Sequence, residues 1–197
     1  IMLTQTQALG STANVFYSKR NEKFGVSLYG SGHYQKAYDP EDDDFSNLPK
    51  TTSISFNPKF FYYPSEKTTF WFGLNGTYDD RIGGDITKIE SGENGIHQYT
   101  EENVSKRLSS QAVYETQIDS VSSLTIKNSI SFFDRELTIP DFTFDGKQTN
   151  TFTEINYQKS ANKTDWIFGA NLYTSDFDEN DNATLQRDQT DVTYGAF

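Results

Sequence analysis

Hydrophobic and polar residues alternate singly along most of this chain. Between residues 51 and 63, Ile54, Phe56, Pro58, Phe60 and Tyr62 interleave with Ser53, Ser55, Asn57 and Lys59. Phe70, Phe72, Leu74 and Tyr78 alternate in the same way with Gly73, Asn75, Thr77 and Asp79, with Trp71 as the exception. A period of two marks a strand with one apolar and one polar face, and no stretch shows a comparable 3.6-residue period. The pattern places ten strands, over residues 1–8, 12–19, 24–36, 51–63, 70–79, 100–118, 124–132, 154–158, 166–172 and from 191 onward. Pro58 lacks a ladder donor, so a bulge or local break is expected there.

The connections alternate too. Tight ones sit at Asn21-Glu22-Lys23, Pro64-Ser65-Glu66-Lys67, Asp119-Ser120-Val121-Ser122-Ser123 and Ser160-Ala161-Asn162-Lys163, with another at Leu9-Gly10-Ser11. Long polar ones are expected at 39–49, 80–98, 134–148 and 175–189. A soluble sandwich has no reason to lengthen only every second connection. An outer-membrane β-barrel does, because its periplasmic turns are short and its extracellular loops are long. The expected fold is therefore all-β, a transmembrane antiparallel up-and-down barrel wall.

Composition changes the picture in three places. Hydrophobic residues make up only 34%, yet 15% are aromatic, a combination that disorder does not produce and barrel strands do. A net charge of -11 argues against a nucleic-acid partner, which demands a basic face. Cysteine is absent, which removes disulfide and thiol chemistry. No run of about 18 apolar residues exists to form a transmembrane helix. The chain opens and stops inside a strand pattern, so a segment of a longer protein is expected, folded as an open curved wall whose first and last strands do not pair with each other.

Strand parity assigns the faces. The lipid side is expected to carry Phe56, Phe72, Leu74, Ile126, Ile130, Phe168 and Leu172. The lumen side is expected to carry His33, Ser55, Asn75, Arg107, Lys127, Ser129, Glu154 and Asn171. A charge facing mid-bilayer lipid would cost up to about 2–4 kcal/mol, and Lys59, Arg107, Lys127 and Glu154 all avoid that face. Tyr17, Phe24, Tyr62, Phe70, Tyr157 and Trp166 lie beside the short turns, where an interfacial aromatic girdle belongs. Cross-strand aromatic packing in a soluble sheet is the plainer alternative.

Particular stretches then resemble a family. Residues 14–26 (NVFYSKRNEKFGV), Tyr38-Asp39-Pro40, Phe45-Ser46-Asn47-Leu48-Pro49-Lys50 and 57–63 (NPKFFYY) look like early barrel strands of the TonB-dependent outer-membrane receptors common in Bacteroidetes. Leu74-Asn75-Gly76-Thr77, Arg81-Ile82-Gly83-Gly84-Asp85 and Phe152-Thr153-Glu154-Ile155 carry the same likeness. The resemblance implies about ten strands of a barrel of about 22, with a plug domain, TonB and its inner-membrane energising complex as partners. It further implies uptake of a small-molecule or metal-chelate ligand, such as a ferric siderophore, across a Gram-negative outer membrane. Cobalamin, haem or a glycan are the other ligands considered. A passive porin or assembly component, and a secreted carbohydrate-binding β-sandwich, are the rival readings.

No catalytic constellation is present. His33 and His97 lie far apart with no nucleophile motif around either, and Gly30-Ser31-Gly32 lacks the third glycine of a dinucleotide fingerprint. The acidic connections carry the candidate binding chemistry. Asp39, Glu41, Asp42, Asp43 and Asp44, with Arg81 and Asp85, are the ligand candidates. Asp42, Asp44 and Asp80 are the candidate calcium ligands, since calcium takes several carboxylate oxygens from flexible loops. A solvated acidic rim is the alternative. Asp176, Asp178 and Asn180 begin like an EF-hand loop, but Asp181 replaces its glycine and Arg187 its bidentate glutamate.

Overall fold

The computed structural model describes residues 1–161, 163–180 and 187–197. Its architecture is one antiparallel sheet of ten strands in strict chain order. The strands are β1 (Met2–Gln5), β2 (Gly10–Arg20), β3 (Phe24–Gln35), β4 (Lys50–Ser65), β5 (Thr68–Gly84), β6 (Thr100–Gln117), β7 (Ser122–Ile139), β8 (Phe142–Ala161), β9 (Thr164–Glu179) and β10 (Gln189–Ala196). A short helix, α1 (Ile86–Ser91), lies between β5 and β6. Each strand pairs only with its chain neighbours, and β1 does not pair with β10, so the sheet is open. Among the described residues no helix is long and apolar enough to cross a membrane.

Register shows that the alternation is shared across strands. Cα partners carry one row from Phe24 through Tyr62, Phe70 and Tyr114 to Ile126 and Ile155. Another runs from Gly30 through Phe56, Gly76 and Leu108 to Phe132. Since directly opposed residues share a face, these rows and the two between them make one predominantly apolar surface, with Ser110, Asn128, Thr151 and Thr153 as its polar members. All seven side chains expected on the lipid side lie on it. The opposite rows run Ser31–Ser55–Thr77–Arg107 and Val113–Lys127–Glu154–Asn171, and the eight residues expected on the lumen side share that face.

Neither face is covered. Among the described residues the only buried hydrophobic side chain is Val113, while Phe56 and Phe168 are each 53% exposed. Hydrogen-bonded ladders hold this single layer, and it has no core of its own.

Two local features match expectation and one long loop does not. Pro58 gives the expected local break, without a bulge: the β4–β5 ladder is interrupted over Asn57 and Pro58 and resumes in the same register, with Phe56 opposite Gly76 and Lys59 opposite Gly73. The register shift falls between Tyr62 and Ser65, at the approach to the turn. Residues 134–148 are not a long loop: β7 and β8 continue to Ile139 and from Phe142, joined through Pro140 and Asp141. Asp141 has φ +65°, so with proline before it the pair has the φ signs of a type II turn. The β1–β2 connection is tight, as expected at Leu9-Gly10-Ser11, although it lies at the long-loop end, with Thr6 N–H donating to Gly10 O at 2.7 Å. Of the tight turn at 160–163, Asn162 lies outside the described residues, as do residues 181–186 of the last long connection.

Candidate functional site

The connections β3–β4 and β5–β6 meet at one end of the sheet, and Asp85 is where they join. At Gly84, φ is +117°, and a Cβ there would strike the Tyr99 carbonyl, so only glycine lets β5 turn out of the sheet. Asp85 follows as the N-cap of α1, fully buried. Its Oδ1 accepts from Lys88 N–H at 2.8 Å, and its Oδ2 accepts from the N–H groups of His97 and Gln98 at 2.9 Å each. Gly95 is needed for this: a Cβ on it would sit on the Asp85 carboxylate. Burial alone would raise the Asp85 pKa. The amides of Lys88, Gln98 and His97, with the His97 ring beside them, outweigh it and hold the carboxyl below its ordinary value.

The β3–β4 connection is organised by its own aspartates. Asp39 accepts from the backbone N–H groups of Glu41, Asp42 and Asp44, and Asp43 from that of Phe45. Asp42 and Asp44 adopt φ +57° and +63°, a left-handed conformation that aspartate tolerates better than most residues. The two connections are then stitched together. Ser46 N–H donates to Gly84 O at 2.8 Å, Gly84 N–H to Ser46 Oγ at 2.7 Å, and Ile86 N–H to Asp44 O at 3.0 Å. Thr87 Oγ1 donates to the Asp44 carboxylate. The His97 ring bonds Asp43 O through Nε2 at 2.8 Å and stands edge-on to Phe45. Lys36 and Glu90 form an exposed ion pair at 3.0 Å across the same junction.

This geometry reassigns several candidate residues. Asp85 is sealed inside the loop junction, and Asp39, Asp43 and Asp44 spend carboxylate oxygens on loop groups. Glu41 and Asp42 remain exposed. Asp42, Asp44 and Asp80 are not brought together for calcium, because Asp44 faces Thr87 and Asp80 accepts from the Tyr78 hydroxyl on β5. Among the described residues no group of three or more His, Asp or Glu is placed to hold a metal ion. The EF-hand-like stretch is strand up to Glu179, and its Asp181 lies outside the described residues.

The polar face carries the remaining candidates. His33 Nδ1 lies 2.9 Å from Thr12 Oγ1, and Lys127 pairs with Glu154 at 2.9 Å, with Asn156 donating to the same oxygen. Asn75 lines a cavity of about 330 Å³ with Ser27, Asn57, Lys59 and Gln111. Trp71, the exception to the alternation, lies under the Lys59 ammonium at 4.1 Å, a cation–π contact that accounts for an aromatic ring on this face. Toward the loop end, Arg81 is held by Asp79, and Arg107 stacks over Phe133 at 4.5 Å.

One part of the site was not foreseen. Beyond the row Leu108–Phe132–Thr149, β7, β8 and β9 exchange the character of their faces. Lys106, Asp134, Lys147 and Asp178 now stand side by side on the formerly apolar face, signs alternating. Phe133, Leu137, Phe144 and Phe177 occupy the formerly polar one, with Phe144 and Phe177 stacked 6.4 Å apart. The register does not shift where this happens. The Phe132-Phe133 doublet was the available signal.

The chain matches no family model, no curated protein and no solved structure.

Proposed function

We propose that this chain is part of the wall of an outer-membrane β-barrel receptor. In this reading it captures a scarce small molecule or metal chelate at the loop end and delivers it inward past a plug domain, energised through TonB. One observation carries the membrane part: an uncovered, predominantly apolar face spans neighbouring strands, interrupted by Ser110, Asn128, Thr151 and Thr153 and backed by a polar face, in a sheet with no core. Monomeric soluble proteins rarely expose apolar patches beyond a few hundred Å², and a layer this wide needs something to cover it. On β7 the apolar positions run from Leu124 to Phe132 with Asn128 between Ile126 and Ile130. At about 3.3 Å per residue and a tilt of about 40°, that stretch is about 23 Å tall, against about 25 Å for the apolar band of an outer-membrane barrel. The row Phe24–Tyr62–Phe70–Tyr114, with Phe24 and Tyr62 stacked at 5.2 Å, lies at the short-turn end as an interfacial girdle should. The transport part rests on the resemblance of residues 14–26 and 57–63 and on the folded loop junction, which offers a preformed surface for capture.

Cysteine substitution tests the membrane part. Leu74→Cys and Ile126→Cys should react with a bilayer-dissolved maleimide, and Asn75→Cys and Lys127→Cys with a water-soluble one. The opposite pattern reverses the faces. Ile130→Lys, further from the girdle row on the same face of β7, should block bilayer insertion, at about 2–4 kcal/mol for a midplane cation. Deleting residues 41–46 or 86–95 should reduce uptake while insertion persists, and unchanged uptake after both would remove this segment from recognition.

A further inference from the structure

The exchange of faces in β7–β9 calls for its own cause. Below it, water would lie on the polar side; above it, the charged row Lys106–Asp134–Lys147–Asp178 marks water on the other side. The aromatic surface therefore faces the interior just where the wall leaves the membrane band. Arginine gathers on the same side: four of the five arginines in the chain, Arg20, Arg81, Arg107 and Arg135, occupy polar-face positions. Arg81 is neutralised by Asp79. Arg107 and Arg135 have no carboxylate partner among the described residues: Arg107 lies over Phe133, and Arg135 Nε donates to Asn103 at 3.1 Å. Opposite Arg107 and Arg135 stand Phe133 and Ser105, so the two guanidinium-bearing positions are diagonal neighbours across the β6–β7 ladder. A cavity of about 340 Å³ opens beside Arg107, lined also by Thr77, Ser105, Phe133 and the Asp79–Arg81 pair.

We infer that this surface, in the receptor just proposed, takes an anionic ligand with a flat aromatic body. The oxyanion sits at Arg107 and Arg135 among the hydroxyls of Thr77 and Ser105, and the ring lies against Phe133 and the stacked Phe144–Phe177 pair. Charge complementarity selects this occupant. A neutral apolar partner would leave two guanidiniums facing it unpaired, and a neutral polyol would gain little from the phenylalanines. Glu101, further along the same face of β6, sets a limit on ligand charge by repelling a bulky polyanion.

The test uses the protein in nanodiscs with naphthalene-2-carboxylate as probe, its carboxamide as the neutral control and acetate as the ringless anion, binding being read by ligand-observed NMR. The carboxylate should bind at least tenfold tighter than either control. Arg107→Gln with Arg135→Gln should erase the preference for carboxylate over carboxamide, whereas Phe144→Leu with Phe177→Leu should weaken both aromatic probes alike. Equal affinity for carboxylate and carboxamide in the unmodified protein overturns the inference, as does an unchanged preference in the arginine variant. Flotation of the same nanodisc sample separates the two levels. Protein that floats but does not discriminate refutes only the ligand class, and protein that never enters the bilayer refutes the receptor reading beneath it.

Discussion

Between β3 and β6 the chain leaves the ladder and folds two polar connections around one buried carboxylate, whereas between β7 and β8 it never leaves the ladder at all. Both regions lie at the same end of the sheet, and both have backbone groups to satisfy. In the first, Asp85 supplies acceptors for three N–H groups that no strand can pair, and Asp39 does the same for three more. In the second, Ile139 opposite Phe142 continues the pairing to the last rung before the turn. Irregular backbone therefore depends on particular carboxylates here, and ladder backbone on register. The two regions should fail in different ways.

The largest effect is expected at Asp85. Asp85→Ala leaves the N–H groups of Lys88, His97 and Gln98, whose bonds to it are part-buried, without their acceptor, and an unmet donor out of full contact with water is costly. Amide exchange across 85–98 and at Ile86 and Ser46 should accelerate by at least tenfold, while the β7–β8 hairpin keeps its protection. Gly95→Val should reproduce the pattern by expelling the carboxylate instead of removing it. If the hairpin loosens equally, the two regions are one cooperative unit and the contrast between them fails.

Acid should act on the same divide. The folded Asp85 pKa lies below its unfolded value, so its contribution is present above the unfolded value and is lost as pH falls through the folded one. Protection of the His97 and Gln98 amides should hold from neutrality down to about pH 4 and decline below it, with the ordinary carboxylate near 3.9 marking where the loss begins. Ladder amides around Thr138 and Thr143, which lie in paired strands and donate to no carboxylate among the described residues, should not follow that titration.

The contrast also explains what could be read without coordinates. Period-two alternation was legible wherever one face kept one character, so the strand count and the faces of Leu74, Asn75, Ile126 and Lys127 followed directly. It failed past Phe132, because two adjacent phenylalanines reverse the phase, and a reversed phase reads as the end of a strand. The polar run after Phe133 then reads as a loop, although Asp134 and Lys147 are opposed ladder residues. Acidic residues in the β3–β4 connection read as ligands because composition does not reveal which carboxylates are consumed by neighbouring amides. Asp85 differed from its neighbours in sequence only by following two glycines, Gly83 and Gly84. That pair was a sign of a sharp exit from the strand, and nothing adjacent announced His97 and Gln98 as its partners.

The smallest effect is expected at the hairpin tip. Asp141 holds φ +65°, a left-handed conformation that costs a typical L-residue roughly 1–2 kcal/mol and aspartate less. Asp141→Gly removes that cost but frees the unfolded chain, which returns about 0.4–1 kcal/mol to the other side. The two terms nearly cancel, so a gain of under about 1 kcal/mol is expected. Asp141→Val, β-branched and without a short polar side chain to ease the turn, should instead destabilise the hairpin by about 1–2 kcal/mol. Exchange protection at Thr138 and Thr143, two of the last paired residues, gives the readout. A hairpin that depends on its ladder should lose only its last rungs in the valine variant and keep everything below Arg135 and Gly146. Loss of protection as far down as Phe132 would mean that the turn, and not the register, holds this extension upright.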